Sequence, residues 1–132
     1  MIPKVAFVCV HNACRSQIAE GLAKHFGNGC FDAYSAGTQV KEHINYDAIR
    51  LMKQMYDIDM GNQRSKLLSA IPDCDIVISM GCNVVCPTLP CIERLDWGIE
   101  DPTGLNDEQF IDTIRIIEKK VKELIETIKN SG

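Results

Sequence analysis

Apolar positions follow two rhythms along the chain. Short continuous runs, Val5-Ala6-Phe7-Val8 and Ile76-Val77-Ile78, are bounded by turn or polar residues and predict strands buried on both faces. Between them, apolar residues recur every three or four positions. Ile18, Ala19, Leu22, Ala23 and Phe26 mark one face of a helix over residues 16–26, stopped by Gly27-Asn28-Gly29. A second strand is expected over 31–36, ended by Gly37. Asn45 is placed to cap a helix over 46–55, with Ile49, Met52 and Met55 at helical spacing. A short helical turn is expected at 65–68 and a third strand at 75–80, the two separated by Pro72. The fourth strand falls within 92–97. The longest helix runs over about 106–129, with Phe110, Ile114, Ile117, Val121, Leu124 and Ile128 as its apolar stripe and Glu118–Lys122 as a surface pair. Strands alternating with helices predict one α/β domain over residues 1–132, a central four-stranded parallel sheet flanked by helices. Ligands in such sheets bind beyond the strand C-termini, where Cys9, Cys82 and Asp101 are all expected.

Composition narrows the function. A chain of 132 residues, 45% apolar, builds one substantial core. Its formal net charge of -4 argues against nucleic-acid binding, which normally needs a basic surplus. No apolar run reaches membrane-spanning length, and Met1-Ile2-Pro3-Lys4 leads straight into the first strand. A cytoplasmic protein is expected. The seven cysteines are odd in number, which weakens a disulfide framework. Cys82, Cys86 and Cys91 are close enough to suggest zinc, but no second Cys-x-x-Cys pair or nearby histidine completes a four-ligand set. Reversible thiol chemistry accounts for them better, and no metal site is expected. Cys30 and Cys74 read as packing residues, and the methionines as core filling.

The first strand runs into Cys9-Val10-His11-Asn12-Ala13-Cys14-Arg15-Ser16, and a helix follows. A loop of this length can aim consecutive backbone N–H groups inward, and the helix start adds more, which makes an anion nest over Val10, His11, Asn12, Ala13, Cys14, Arg15 and Ser16. The same field favours a thiolate, so Cys9 is read as a nucleophile. Arg15 offers a planar fork matching two oxygens of a tetrahedral oxyanion. Ser16 can donate a hydrogen bond to the Cys9 sulfur, and Asn12 can brace the loop. A small core hydrophobe would explain Cys9 alone, but not Arg15 and Ser16 just after the turn. Further along, Cys82 and Cys86 are separated by three residues in a loop. If Cys82 can reach Cys9, the chain holds a relay of three thiols suited to sequential disulfide exchange.

This pattern resembles the active-site loop of the low-molecular-weight protein tyrosine phosphatase superfamily, and more closely its thioredoxin-coupled arsenate reductase branch. The likeness continues through Tyr34-Ser35-Ala36-Gly37, Gly81-Cys82, Cys86-Pro87-Thr88-Leu89-Pro90, Trp97-Gly98 and Asp101-Pro102. It implies arsenate as substrate, with Cys9 forming the arsenic adduct and Asp101 protonating the departing oxygen. It further implies that Cys82 resolves the adduct and that Cys86 is the terminal thiol, reduced by thioredoxin. NADPH acts only through thioredoxin reductase, and no tightly bound cofactor is expected. Glu20 and Ser35 match residues that support the loop through a polar network, in some relatives with potassium. Where those relatives carry an acidic ligand this chain has Lys66, whose ammonium can stand in the cation's place. Cys91 lacks the following Pro and is kept as an alternative resolving thiol. A monomer is expected. The competing reading is a phosphatase acting on phosphotyrosine or a small phosphomonoester, which Cys9, Arg15 and Asp101 would serve equally. The segment Thr103-Gly104-Leu105 lacks the aromatic pair common near this position in tyrosine phosphatases.

Overall fold

The computed structural model describes residues 2–81 and 93–131. Four strands, β1 (Lys4–Cys9), β2 (Asp32–Gly37), β3 (Ile76–Ser79) and β4 (Glu93–Asp96), form one parallel sheet in the order β2-β1-β3-β4. Three helices connect or follow them: α1 (Arg15–Phe26), α2 (Tyr46–Tyr56) and α3 (Asp107–Ser131). The expected elements are all present, with small shifts. β2 begins and ends one residue later than its apolar pattern suggests. The short helical turn forms at Leu68–Ala70 rather than 65–68, because residues just before it are held in extended contact with β2 through a Gly37–Leu67 bridge.

β1 is an inner strand, which explains its continuous apolar run. Val5, Ala6, Phe7 and Val8 are all buried, with alternate residues on opposite faces. Val5, Phe7 and Cys9 join the main core with residues of all three helices. Ala6 and Val8 join a smaller cluster with Cys74 and Val77, covered by half-buried Tyr34, Leu68 and Ile71. The long helices therefore supply one large core, and the 3₁₀ turn with its neighbours closes the other face. β4 is an edge strand whose Glu93, Arg94 and Asp96 are exposed, and charge there discourages further strand pairing.

Helix ends follow local chemistry. The Asn45 side chain accepts from Ala48 N at 3.1 Å, and Asn106 accepts from Gln109 N at 2.9 Å, so both cap as their residue type suggests. α3 buries Phe110, Ile114, Ile117 and Val121 completely, each worth roughly 1.5–3 kcal/mol against exposure. Glu118 and Lys122 pair at 2.7 Å, as their spacing predicts. In α2 the buried face is Ala48, Leu51 and Met52, with Ile49 and Met55 only half-buried at its margin. The true stripe is rotated from the one marked by the largest residues. No helix among the described residues is long and apolar enough to cross a membrane.

The chain runs from β1 to β2 on one side and to β3 on the other. The C-terminal end of β1 is thus the switch point of the sheet, and Cys9 stands there, paired in register with Gly37. A Cβ at Gly37 would lie 2.5 Å from Val10 O and 2.7 Å from Cys9 O, both rigid backbone atoms. Gly37→Ala is therefore expected to push the loop after Cys9 outward and to destabilise the fold by about 1–3 kcal/mol, read as a lower urea midpoint. An unchanged midpoint would show that the two backbones are not locked together.

Candidate active site

The loop between β1 and α1 has its carbonyls turned outward, and each is taken. Val10 O accepts from Gln39 N at 2.9 Å, His11 O from Ser65 Oγ at 2.7 Å, and Asn12 O from Gln17 Nε2 at 3.0 Å. Ala13 O accepts from Asn45 N at 2.8 Å, and Cys14 O from Ile18 N at 2.9 Å. No peptide bond here is cis. In a trans peptide the N–H lies opposite the C=O, so the N–H groups of residues 11–15 face the other way, toward the cavity. Asn12 lies in the left-handed region, φ 49°, which reverses the chain at the middle of the loop and is tolerated by Asn better than by most residues.

Cys9 is buried at the base of this loop, with Sγ 2.9 Å from Ser16 Oγ. Ser16 Oγ accepts from Asn12 Nδ2 at 2.8 Å, which leaves its own hydrogen for the sulfur. Asn12 and Ser16 are fully buried behind the cavity wall. Two residues that the sequence reading did not single out extend the network. Gln17 Nε2 donates to Asn12 Oδ1 at 2.8 Å and to Arg64 O at 2.8 Å, and Gln63 Nε2 donates to Gln17 Oε1 at 2.7 Å. Gln17 is completely buried, and Ser16 and Glu20 on the same helix are buried too. No local sequence signal marks either glutamine, since a polar residue at one helical position or in a polar stretch reads as solvent-facing.

The cavity has a volume of about 590 Å³ and is lined by Cys9, Val10, His11, Ala13, Cys14, Arg15 and, from the opposite side, Asp101 and Thr103. Arg15 Nη1 donates to Met80 O at 3.0 Å and to Ile99 O at 2.7 Å, so the guanidinium is fixed by the ends of β3 and the loop after β4. Asp101 is exposed, and its Oδ1 accepts from Thr103 N at 3.0 Å and Thr103 Oγ1 at 2.7 Å. Those bonds leave Oδ2 for a proton. At the mouth, the His43 and Tyr46 rings stack with centroids 4.3 Å apart. Burial, reinforced by the negative charge of Asp101, pushes the Cys14 thiol up to about 12, so Cys14 is a neutral thiol beside Cys9.

Glu20 and Ser35 meet as expected. Ser35 Oγ donates to the buried Glu20 Oε1 at 2.6 Å. Lys66 Nζ lies 3.5 Å from the same carboxylate oxygen and 3.3 Å from Ser35 Oγ, while Lys24 pairs with Glu20 Oε2 at 2.8 Å. The ammonium of Lys66 is thus turned inward and mostly covered, at 22% side-chain exposure, rather than left in solvent. Its backbone works on the loop too: Lys66 N donates to Asn12 Oδ1 at 2.9 Å, and Lys66 O accepts from Gly37 N at 2.9 Å. Trp97 packs against Phe7, with centroids 5.5 Å apart, under the strand that carries Cys9.

The structure therefore brings Cys9, Arg15, Ser16, Asn12 and Asp101 around one cavity or just behind it, with Glu20 and Ser35 as a second polar cluster. Cys30 is half-buried and Cys74 buried, as packing residues would be. Cys82, Cys86 and Cys91 lie outside the described residues. Among the described residues, no group of three or more His, Cys, Asp or Glu side chains is placed to hold a metal ion.

Comparison with known proteins gives the same frame. The glutaredoxin arsenate reductase of Synechocystis sp. is 36% identical over 130 residues, covering 95% of each chain. A solved arsenate reductase in a phosphate-binding state superposes with a TM-score of 0.87 at 36% identity, over 96% of this chain and 99% of that one. The thioredoxin-dependent arsenate reductase Cg_ArsC1' of Corynebacterium glutamicum gives a TM-score of 0.81 at 30% identity, over 99% of this chain and 64% of its own. The model of the family described as low molecular weight phosphotyrosine protein phosphatase matches residues 4–132. The matched span takes in every strand and helix from β1 to α3 and the loop that cradles Cys9, and the chain belongs to that family.

Proposed function

We propose that the protein reduces arsenate to arsenite with its own thiols and is regenerated by thioredoxin. The observation that carries this reading is the Cys9 sulfur, 2.9 Å from the Ser16 hydroxyl, in the cavity shared with Arg15 and Asp101. Inward N–H groups and the Arg15 fork suit a tetrahedral oxyanion. The Cys9 thiolate attacks arsenic, an As–S bond forms, and one As–O bond breaks as Asp101 gives its proton to the leaving oxygen. Cys82 then attacks the Cys9 sulfur. The S–S bond forms, the As–S pair of electrons stays on arsenic, and arsenite leaves. Cys86 attacks Cys82, frees Cys9 and leaves a Cys82–Cys86 disulfide for a dithiol reductant.

The arsenate reductases among the relatives support the substrate. Their named reductants differ, glutaredoxin in one and thioredoxin in another. Thioredoxin is favoured here by the Cys82/Cys86 pair, since an intramolecular disulfide is what a dithiol reductant takes. The roles of Cys82 and Cys86, and of Cys91 as a reserve, rest on the sequence pattern. In this reading Lys66 supplies the positive charge beside Glu20 that a potassium ion gives elsewhere. A phosphatase would use the same Cys9, Arg15 and Asp101 with a phosphate ester, so the assay must carry both substrates.

Arsenate-dependent NADPH oxidation is expected with thioredoxin and thioredoxin reductase, and only weak phosphomonoester hydrolysis. Equal rates with glutathione and glutaredoxin alone would overturn the coupling, and strong hydrolysis without arsenate reduction would reverse the main reading. Asp101→Asn should slow adduct formation by about 10²–10⁴-fold with little change in competitive phosphate binding, measured by rapid quench. Cys86→Ser should release one arsenite per chain and stop with Cys9 and Cys82 joined, seen by peptide mass mapping. Multiple turnover persisting in Cys86→Ser but lost in Cys91→Ser would transfer the terminal role to Cys91.

Cys14 should not compete with Cys9. Held up to about 12, it stays protonated and should resist iodoacetamide at pH 8 in the folded protein. The raised value also sets a sign for stability. The unfolded thiol ionises near pH 9 and the folded one only toward 12, so the folded state holds more protons in that window. Stability is complete below the unfolded value and falls as pH rises, by at most roughly 4 kcal/mol from this group. Cys14→Ala should flatten the loss of urea midpoint between those pH values. Equal slopes in both proteins would remove Cys14 as the cause.

A further inference from the structure

We infer that Gln63 and Gln17 are positioning residues for Cys9, the outer links of a one-way hydrogen-bond relay ending on its sulfur. The inference rests on the reading of Cys9 as the attacking thiol and adds two residues with no assigned role in it. Gln63 Nε2 donates to Gln17 Oε1 at 2.7 Å, Gln17 Nε2 to Asn12 Oδ1 at 2.8 Å, and Asn12 Nδ2 to Ser16 Oγ at 2.8 Å. Ser16 Oγ then meets Cys9 Sγ at 2.9 Å. Every arrow points toward the sulfur.

The direction is forced, because each amide is also tied to a backbone group that has one polarity. Gln63 Nε2 faces Gln17 O at 3.0 Å, and a carbonyl can only accept. Gln17 Nε2 faces Asn12 O and Arg64 O, again acceptors only. Asn12 Oδ1 receives Lys66 N at 2.9 Å, so it must be the oxygen, and its NH₂ must face Ser16. A flipped amide anywhere would set oxygen against oxygen or nitrogen against N–H. Ser16, accepting from Asn12, is left to donate. Hydrogen bonds aligned head to tail polarise one another, and the effect is strongest away from water. Gln17, Asn12 and Ser16 are all fully buried. Such a chain favours the charged sulfur at its end and holds Asn12 in its left-handed turn.

The test is the rate of Cys9 alkylation by iodoacetamide across pH, read on the Cys9 peptide by mass mapping so that the other thiols do not enter. Arg15, His11 and Asp101 line the same cavity and are unchanged in every variant. Gln63→Ala at a half-buried position, and Gln17→Met at similar volume, should each lower the rate at neutral pH by about two- to ten-fold. The difference from the parent should shrink as pH is raised. Gln63→Glu keeps the length but loses the donor, and should behave like Gln63→Ala. In a Ser16→Ala background, Gln63→Ala should change nothing further, since the last link is already gone. If Gln17→Met does not fold, the Gln63 pair decides. An unchanged profile in Gln63→Ala, or the same fold loss with and without Ser16, would overturn the relay. Because alkylation needs no arsenate, failure of arsenate turnover with this pattern intact would count against the proposed reaction and not against the relay.

Discussion

The site depends on one constraint: five successive carbonyls of the loop after β1 must all face away from the cavity. Left to itself, a loop satisfies its carbonyls with water and has no reason to turn its N–H groups to one side. Here the partners come from four separate places: the segment after β2, the residues before the 3₁₀ turn, the start of α2, and α1 itself. Each bond is ordinary, worth about 0.5–1.5 kcal/mol net. Together they fix the N–H groups before any ligand arrives, so the oxyanion of the proposed reaction would bind without reorganising the backbone. The sheet order serves this arrangement by ending β1 between its two neighbours, where those partners can surround the loop.

The same architecture places costly polar groups inside the protein and must satisfy all of them. Glu20 is buried, and its two carboxylate oxygens are shared among Ser35, Lys66 and Lys24. Removing one partner of such a group leaves an uncompensated buried charge, which typically costs several kcal/mol. Among the described residues, no buried side-chain nitrogen or oxygen lacks a partner. Lys66 is the hinge of the scheme. Its side chain closes on Glu20 and Ser35, while its backbone joins Gly37 to Asn12. The polar cluster and the anion loop are therefore one mechanical unit.

What the sequence disclosed, and what it hid, follows from these forces. β1, α1 and α3 were legible because apolar burial leaves a period in the chain, and Cys9, Arg15 and Ser16 because their chemistry is conspicuous at a strand–turn–helix junction. Asp101 was legible only beside them, since Asp-Pro alone is common turn chemistry. Gln17 was hidden. A polar residue at one helical position reads as solvent-facing, and only the tertiary fold shows it buried against Asn12. Gln63 was hidden for a related reason, lying in a polar stretch whose path around the loop no local pattern records. In α2 the large residues Ile49 and Met55 drew the stripe to one side, but the buried face is Ala48, Leu51 and Met52, with the Met52 side chain reaching Gly21 of α1.

Arg15 joins the oxyanion loop to the part of the chain that bears the later cysteines. Its Nη1 holds Met80 O and Ile99 O, the residues just before Gly81 and just after Gly98. That junction is tight. Ile99 N donates to Met80 O at 3.1 Å, and a Cβ on Gly81, whose φ is +91°, would lie 2.8 Å from Gly98 Cα. Only glycine combines that conformation with that approach. Met80 stands two residues ahead of Cys82 in sequence, so in the proposed reaction the side chain suited to grip an oxyanion also pins the root of the segment that carries the proposed second thiol. A guanidinium drawn toward a bound anion would share its donors between the anion and those two carbonyls. Any such shift would be felt at Met80, so in the proposed reaction oxyanion binding and the attack by Cys82 would share one mechanical anchor.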